Sequence, residues 1–259
     1  MIDTHINQVL TIARFTVLEA VRTRLPWIAL AILALLFLSS LFVQHIAVTE
    51  SARMQTGFLA AAVRFASVIV LSLHVAGSMV REFNDKNVDL LLSLDLPRAG
   101  FYLGKFLGFA AIAVGLASLA TLTLLAAGPG IGLAWWGISL ALELILVASL
   151  ALFCVITFAQ VMPAISFVLA FYLLARSISA VRLLSASPLV AADSWTNRTV
   201  AAFADALAWC LPNLDRFTAT TWLVDGGGAS ALGFIALQSF VYASLLVLAG
   251  LFDLYRKNL

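Results

Sequence analysis

Six apolar runs, each long enough to cross a lipid bilayer, constrain this chain more than any other feature of its sequence. A membrane-spanning helix needs about 20 mostly apolar residues. The runs occupy about residues 27–45, 58–80, 101–127, 133–159, 164–184 and 229–251. Only 11% of the 259 residues are charged, whereas soluble domains carry about 25%. We therefore predict an all-α, polytopic membrane protein with six transmembrane helices, in which residues 1–259 form a single transmembrane domain.

Residues 5–24 predict an amphipathic helix ahead of the first span. Its apolar stripe consists of Ile6, Val9, Leu10, Ala13, Val17, Ala20 and Val21. A helix with one apolar and one polar face lies in the membrane interface, and Pro26 marks the bend into the bilayer. The alternative is a solvated helix that packs on other loops.

A charged stretch, residues 81–105, separates the second and third spans. Drawn as a helix, residues 82–94 place most of their polar side chains on one face, namely Glu82, Asp85, Lys86, Asp89 and Ser93. The leucines fall mostly elsewhere, so the helix would be amphipathic and lie along a surface. A membrane protein could contact a soluble partner through such a helix; the alternative is a row of solvated charges.

This stretch resembles the first large cytoplasmic loop of ABC-2-type permeases, the membrane subunits of many ABC exporters. The resemblance rests on Arg81-Glu82, Asp89-Leu90-Leu91-Leu92-Ser93-Leu94, Arg98 and Leu103-Gly104-Lys105. The chain departs from the family pattern where Lys86-Asn87 replaces the usual Gly-Thr and Asp95 stands near the usual Pro.

The resemblance implies a cytoplasmic coupling helix that binds a separate ABC ATPase subunit dimer. The residues it assigns to that contact are Glu82, Asp85, Lys86, Asp89 and Arg98. It also implies a second permease copy, either identical or related, and it places ATP and magnesium in the ATPase. Residues 99–106 do not form a phosphate-binding loop, because Ala99 stands where the leading glycine is needed and Phe106 stands where Ser or Thr is needed. We therefore expect no cofactor in this chain and no enzymatic activity of its own.

The basic residues predict the orientation of the chain. Nine of the fifteen Lys and Arg residues fall on the side of the termini, and four fall on or near the other side. Because cytoplasmic loops carry an excess of Lys and Arg, we expect both termini in the cytoplasm and a multi-pass protein of the plasma (inner) membrane, with a bacterial host implied by the resemblance. Residues 185–228 then form short outer helices at, or re-entering, the outer leaflet, where an outer partner could bind.

Four ionisable residues fall within the spans: Arg64, His74, Glu143 and Arg176. Such residues are costly in lipid and are functional candidates by default. At 1.5 Å per residue, Glu143 lies about 15 Å and Arg176 about 12 Å from the outer ends of their spans, so the two could pair. The pair would either fasten spans together or line a substrate path and meet an anionic headgroup. Arg64, further out, is the other possible partner of Glu143, and His74 is expected to be a hydrogen-bonded core histidine.

Two further patterns bear on assembly and ligands. Gly104 and Gly108, four residues apart, predict a close approach of helices, either within the subunit or between two copies. The three histidines are far apart in the sequence, so no metal site is expected. The net charge of +2 comes from scattered basic residues, so no nucleic-acid partner is expected.

The expected function is that of the permease subunit of an ATP-driven ABC exporter. Two alternatives remain open. The first is an ABC-type complex that transmits force to an outer partner without transport, and the second is a membrane scaffold or assembly factor without an ATPase. No residue pattern selects a substrate.

Overall fold

The computed structural model describes residues 2–46, 51–85, 97–128, 132–186, 195–225 and 229–256, and these ranges contain helices and no β-strand. The helices are α1 (Ile2–Arg22), α2 (Leu25–Ile46), α3 (Ser51–Asn84), α4 (Arg98–Ala127), α5 (Leu133–Phe158), α6 (Val161–Ala186), α7 (Trp195–Cys210), α8 (Thr221–Asp225) and α9 (Ala229–Arg256). A short 3-10 turn, Leu214–Arg216, lies between α7 and α8.

Six of these helices, α2 to α6 and α9, are long and apolar enough to cross a membrane. This confirms the predicted all-α, six-span architecture. A helix satisfies its own backbone hydrogen bonds, which lipid cannot do. The largest difference from the predicted bounds is in α3, which has 34 residues and is therefore roughly 50 Å long. A hydrocarbon core is about 30 Å thick, so α3 is long enough to project beyond it.

Helix α5 is the centre of the bundle. In the most apolar stretch of 18 residues of α5, 72% of the residues are buried, whereas the corresponding share is 17% in both α2 and α9. It contacts α3, α4, α6 and α9, and its side chains Trp136, Leu140 and Leu144 are fully buried. Helices α2 and α9 instead direct many large apolar side chains outward, as expected of helices that face lipid.

Helix α1 packs against α4 at a notch formed by Gly104 and Gly108. A Cβ added to Gly104 would lie 2.7 Å from the Cβ of Ile12, and one added to Gly108 would lie 2.6 Å from the Cβ of Thr16. Real Cβ atoms do not approach this closely, so only glycine admits α1 here. Of the two interpretations of this glycine pair, the structure therefore shows packing within the subunit.

The predicted apolar stripe of α1 is divided between two environments. Ala20 is buried together with Thr16, whereas Ile6, Leu10 and Val21 are exposed. The buried face is thus rotated away from the centre of the predicted stripe, because Ile12 and Thr16, which lie off that stripe, are the residues that pack against the glycine notch. The exposed part of the stripe is available to lipid, and an interfacial position for α1 stays a prediction.

The corner between α1 and α2 lies slightly earlier than predicted. Arg24 has a left-handed backbone with φ 61°, and α2 begins at Leu25. Pro26 is the second residue of α2, where a missing backbone N–H removes no helical hydrogen bond.

Beyond α6, the predicted short helices are present as α7 and α8. Arg182 Nε and Asp205 Oδ1 lie 2.8 Å apart and join α6 to α7. Between α7 and α8, the side chains of Leu211, Leu214 and Phe217 are buried. We call residues 211–218 the inner turn, because it enters the helical bundle; whether α7 and α8 lie in the outer leaflet stays a prediction.

Candidate functional site

A group of polar side chains meets in the interior of the bundle around Glu143. The carboxylate is fully buried, and both of its oxygens accept hydrogen bonds. Oε1 accepts from the hydroxyl of Tyr172 at 2.8 Å and from Arg176 Nη1 at 3.2 Å. Oε2 accepts from Thr218 Oγ1 at 2.9 Å. The ionised carboxylate therefore has partners that replace the water it would otherwise bind.

The inner turn supplies the remaining partners of Arg176. Its Nη1 donates to the carbonyl oxygen of Leu214 at 2.8 Å, and its Nη2 donates to that of Phe217 at 3.4 Å. The guanidinium thus joins a span to the inner turn and to Glu143. Because these carbonyls belong to a segment far from α6 in the sequence, the pairing fixes the path of the inner turn through the bundle.

Thr218 links the same turn to two other helices. Its backbone N–H donates to Ser139 Oγ of α5 at 3.1 Å. Its carbonyl oxygen and its hydroxyl both accept from Arg64 Nη1 of α3 at 3.2 Å. Thr218 has a left-handed backbone with φ 46°, a conformation that costs about 1–3 kcal/mol outside glycine. The surrounding hydrogen bonds hold it in place.

We call these residues the interior cluster: Arg64, Ser139, Glu143, Tyr172, Arg176 and Thr218. Of the two arginines that sequence analysis offered as partners of Glu143, the ion pair is with Arg176, and Arg64 reaches the cluster through Thr218. The cluster holds α3, α5, α6 and the inner turn together. Its formal charge is +1, from two arginines and one glutamate.

A second polar group lies at the other end of α3. Lys105 Nζ pairs with Glu82 Oε1, and the two side chains are only 6% and 17% exposed. The pair joins the end of α3 to the start of α4, which are the two helices on either side of the charged stretch. Glu82 is therefore paired within the chain, and its contact with a partner stays a prediction. A projection of a single helix misses this, because Lys105 belongs to the neighbouring helix.

Arg98 is also engaged within the chain. Its Nη1 donates to the carbonyl oxygens of Leu254 at 3.2 Å and Tyr255 at 3.5 Å. These carbonyls belong to the last turn of α9, where a cation is favoured by the helix dipole and by unpaired C=O groups. Asp85 is exposed, and its contact with a partner stays a prediction. Lys86, Asp89 and the rest of the predicted coupling helix lie outside the described residues.

Helix α1 joins this end of the bundle through Glu19. Its Oε1 accepts from Ser78 Oγ at 2.8 Å and lies 3.5 Å from Arg81 Nη2. We call the contacts of Glu82–Lys105, Arg98 and Glu19 the base contacts. Together with the glycine notch they fasten α1, α3, α4 and α9 to one another.

His74 lies between these two groups along α3. Its ring stands edge-on to Phe109, with centroids 6.2 Å apart and an interplanar angle of 80°. Within the described residues its Nε2 is buried and has no hydrogen-bond partner, in contrast to the expectation of a hydrogen-bonded core histidine.

Sequence reasoning missed several members of both groups, and some carried a usable signal. Tyr172 precedes Arg176 by four residues and Ser139 precedes Glu143 by four, so each pair shares a helix face. Thr218 and the carbonyls of the inner turn carry no such signal. No protein-family model matches the chain, and no curated protein matches it.

Proposed function

We propose that this chain is the membrane-spanning permease subunit of an ATP-driven ABC exporter. Two permease copies would work with two ATPase subunits, which would bind ATP and magnesium. The proposal starts from the resemblance of the charged stretch and from the six-span architecture. The observation that carries it is the buried Glu82–Lys105 pair, which fastens together the two helices that flank the charged stretch.

This pair matters because it makes the base of the charged stretch rigid. A push on residues 86–96 would reach α3 and α4 together, since breaking a buried ion pair costs several kcal/mol, about 3–5. Arg98 extends the connection to α9, and the glycine notch extends it to α1. These four helices would therefore move as one body when an ATPase closes beneath them.

The same movement would be transmitted toward the other side of the membrane through α3. Arg64 lies 18 residues before Glu82 in α3, a separation of roughly 27 Å along the helix. It bonds Thr218 of the inner turn. A tilt of α3 would therefore displace the inner turn relative to α5 and α6, and so open a path toward the outer side or outer leaflet.

Because of the base contacts, we propose fewer residues for the contact with the ATPase than the resemblance implies. Glu82 and Arg98 are occupied within the chain, so we assign them a supporting role. Asp85, Lys86 and Asp89 remain as the residues proposed to touch the ATPase. In this proposal both termini and the charged stretch face the cytoplasm of a bacterium, and the chain resides in the plasma (inner) membrane.

The test is the double variant Asp85→Lys with Asp89→Lys. The protein is purified in mild detergent from its own host, and magnesium-dependent ATP hydrolysis is measured in the purified fraction. We expect wild type to retain an ATPase and the double variant to lose most of it, because the charge of the contact surface is reversed. The matched control is Asp85→Glu with Asp89→Glu, since it changes the same two side chains and keeps their charge. A double variant that retains the ATPase at the wild-type level would contradict the assigned contact. Wild type purified without any ATPase would favour a scaffold or assembly factor.

A second candidate, force transmission to an outer partner without transport, is favoured by one observation. Helix α7 exposes Phe203 and Trp209, the latter 92% exposed, and the inner turn connects this segment to α3. In inverted vesicles an exporter would change the vesicle contents when ATP is added, measured by mass spectrometry. A force transmitter would leave the contents unchanged while ATP alters the labelling of cysteines introduced into α7.

A further inference from the structure

A groove runs between α2 and α3 on the outside of the bundle. Its volume is about 330 Å³, within the range of small-molecule sites. Most of its lining is apolar, contributed by Ile28, Ile32, Ile69, Val70 and Leu73. Ile69 and Arg81, near its two ends, are 12 residues apart in α3, a length of roughly 18 Å. The groove is therefore long and narrow, and a chain-like apolar ligand would fit it.

One end of the groove is basic. Arg81 and Thr23 line it there, and Thr23 lies between Arg22 and Arg24, both exposed. Glu19 is acidic and contacts Arg81 and Ser78, and the exposed Asp85 lies one helical turn after Arg81. Three arginines against these two carboxylates leave a formal charge of +1. This end therefore favours an anionic group.

The groove opens sideways, toward the surroundings of the bundle. Trp27 is 72% exposed and Leu73 is also exposed. A Cβ added to Gly77, which lines the groove, would meet no atom within 4 Å. An opening of this kind on a membrane-spanning bundle is in contact with lipid.

We propose that this groove binds an anionic phospholipid, with its phosphate near Arg81 and one acyl chain along Ile69 and Ile32. Basic pockets between transmembrane helices recognise anionic headgroups, and the apolar groove supplies the surface that an acyl chain needs. The site is distinct from the proposed transport path and does not depend on an ATPase. It would fix the corner between α1 and α2 to α3 on the side of the termini.

The experiment is native mass spectrometry of the purified protein with added phosphatidylglycerol or phosphatidylcholine. Gly77→Leu adds a side chain at the groove whose Cβ would meet no atom within 4 Å, and Gly115→Leu is its control, because Gly115 is exposed on α4 and its added Cβ would also meet no atom within 4 Å. We expect wild type and Gly115→Leu to retain phosphatidylglycerol, and Gly77→Leu to lose most of it.

The headgroup is tested with Arg81→Gln, and with Arg256→Gln as a control at the exposed end of α9. One basic contact is worth about a fivefold change in affinity, so Arg81→Gln should weaken the binding of phosphatidylglycerol by about that factor and leave phosphatidylcholine unchanged. Equal retention of both lipids by wild type, or full retention by Gly77→Leu, would overturn the proposal. A loss of dimer in Gly77→Leu without a loss of lipid would assign the groove to a second copy instead.

Discussion

A carboxylate in the interior of a membrane-spanning bundle is stable only if its neighbours replace the water it has lost. Glu143 meets this condition with three donors from two other parts of the chain. Two of the donors, Tyr172 and Arg176, lie on α6, and the third, Thr218, lies on the inner turn. The ion pair therefore acts less as a source of stability than as a requirement that these elements come together.

Glu143→Gln should strongly destabilise the fold. The substitution keeps the size of the side chain but leaves Arg64 and Arg176 without a negative charge, and removing one partner of a buried ion pair costs about 3–5 kcal/mol. Thermal or denaturant unfolding in detergent measures the change. Ser118→Ala on the exposed side of α4 serves as the control.

A double variant separates the pair from its surroundings. Glu143→Gln combined with Arg176→Gln should be less destabilised than the sum of the two single variants, because the second change removes one of the two cations that Glu143→Gln leaves without a negative charge. If Glu143→Gln unfolds at the same denaturant concentration as wild type, the ion pair has no stabilising role and does not hold the inner turn in place.

At the scale of the element, α1 is held by shape and by one polar contact. The glycine notch of α4 receives Ile12 and Thr16, and Glu19 reaches α3. The close approach excludes any side chain from positions 104 and 108. The position of α1 is therefore set by α4, while its exposed apolar face is left for lipid.

Gly108→Ala should loosen α1. The added Cβ would overlap Thr16, and overpacking of this kind costs about 1–3 kcal/mol. Hydrogen exchange of the α1 amides should accelerate, while exchange in α5 stays as in wild type. Gly115→Ala adds the same methyl group to α4 where no atom lies within 4 Å, and it should leave α1 unchanged. Equal exchange in α1 for both variants would show that the notch does not hold the helix.

Helix α3 is the element that joins the two polar groups. It carries Glu82 in the base contacts and Arg64 in the interior cluster. Between them its buried side chains include Leu71, Val75 and Met79 as well as the serines Ser72 and Ser78. A helix with one polar contact near its middle, through Arg64, and another in its last turn, through Glu82, suits the transmission of movement, which is the role that the proposed function gives it.

At the scale of the whole molecule, the polar contacts form two layers separated by an apolar interior. If all six candidate helices cross the membrane, both termini lie on one side together with the base contacts. The inner turn and α7 then lie toward the other side. Because the excess of Lys and Arg lies on the side of the termini, we expect that side to be cytoplasmic.

Reporter fusions test this orientation. Green fluorescent protein fused to either terminus should fluoresce, because it folds in the cytoplasm, and alkaline phosphatase inserted after Thr199 should be active. Alkaline phosphatase fused to the C-terminus is the control and should be inactive. An active phosphatase at the C-terminus would place the base contacts on the outer side and would remove the proposed contact with an ATPase.

The sequence by itself determined the number and the approximate bounds of the spans, because lipid leaves a long apolar segment no stable option but a helix. It also predicted that Glu143 and Arg176 lie at a similar depth in the membrane, since the rise per residue of a helix is fixed. The depth of Arg64 alone did not reveal its partner, Thr218, since that depends on the path of the inner turn.

Only the tertiary structure decided which polar groups meet. The rotation of each helix about its axis turned Glu82 toward Lys105. The same rotations set α1 into the glycines of α4 and brought the carbonyls of the inner turn to Arg176. Hydropathy fixes how deep a residue lies in the membrane, whereas the packing of neighbouring helices fixes the direction in which its side chain points.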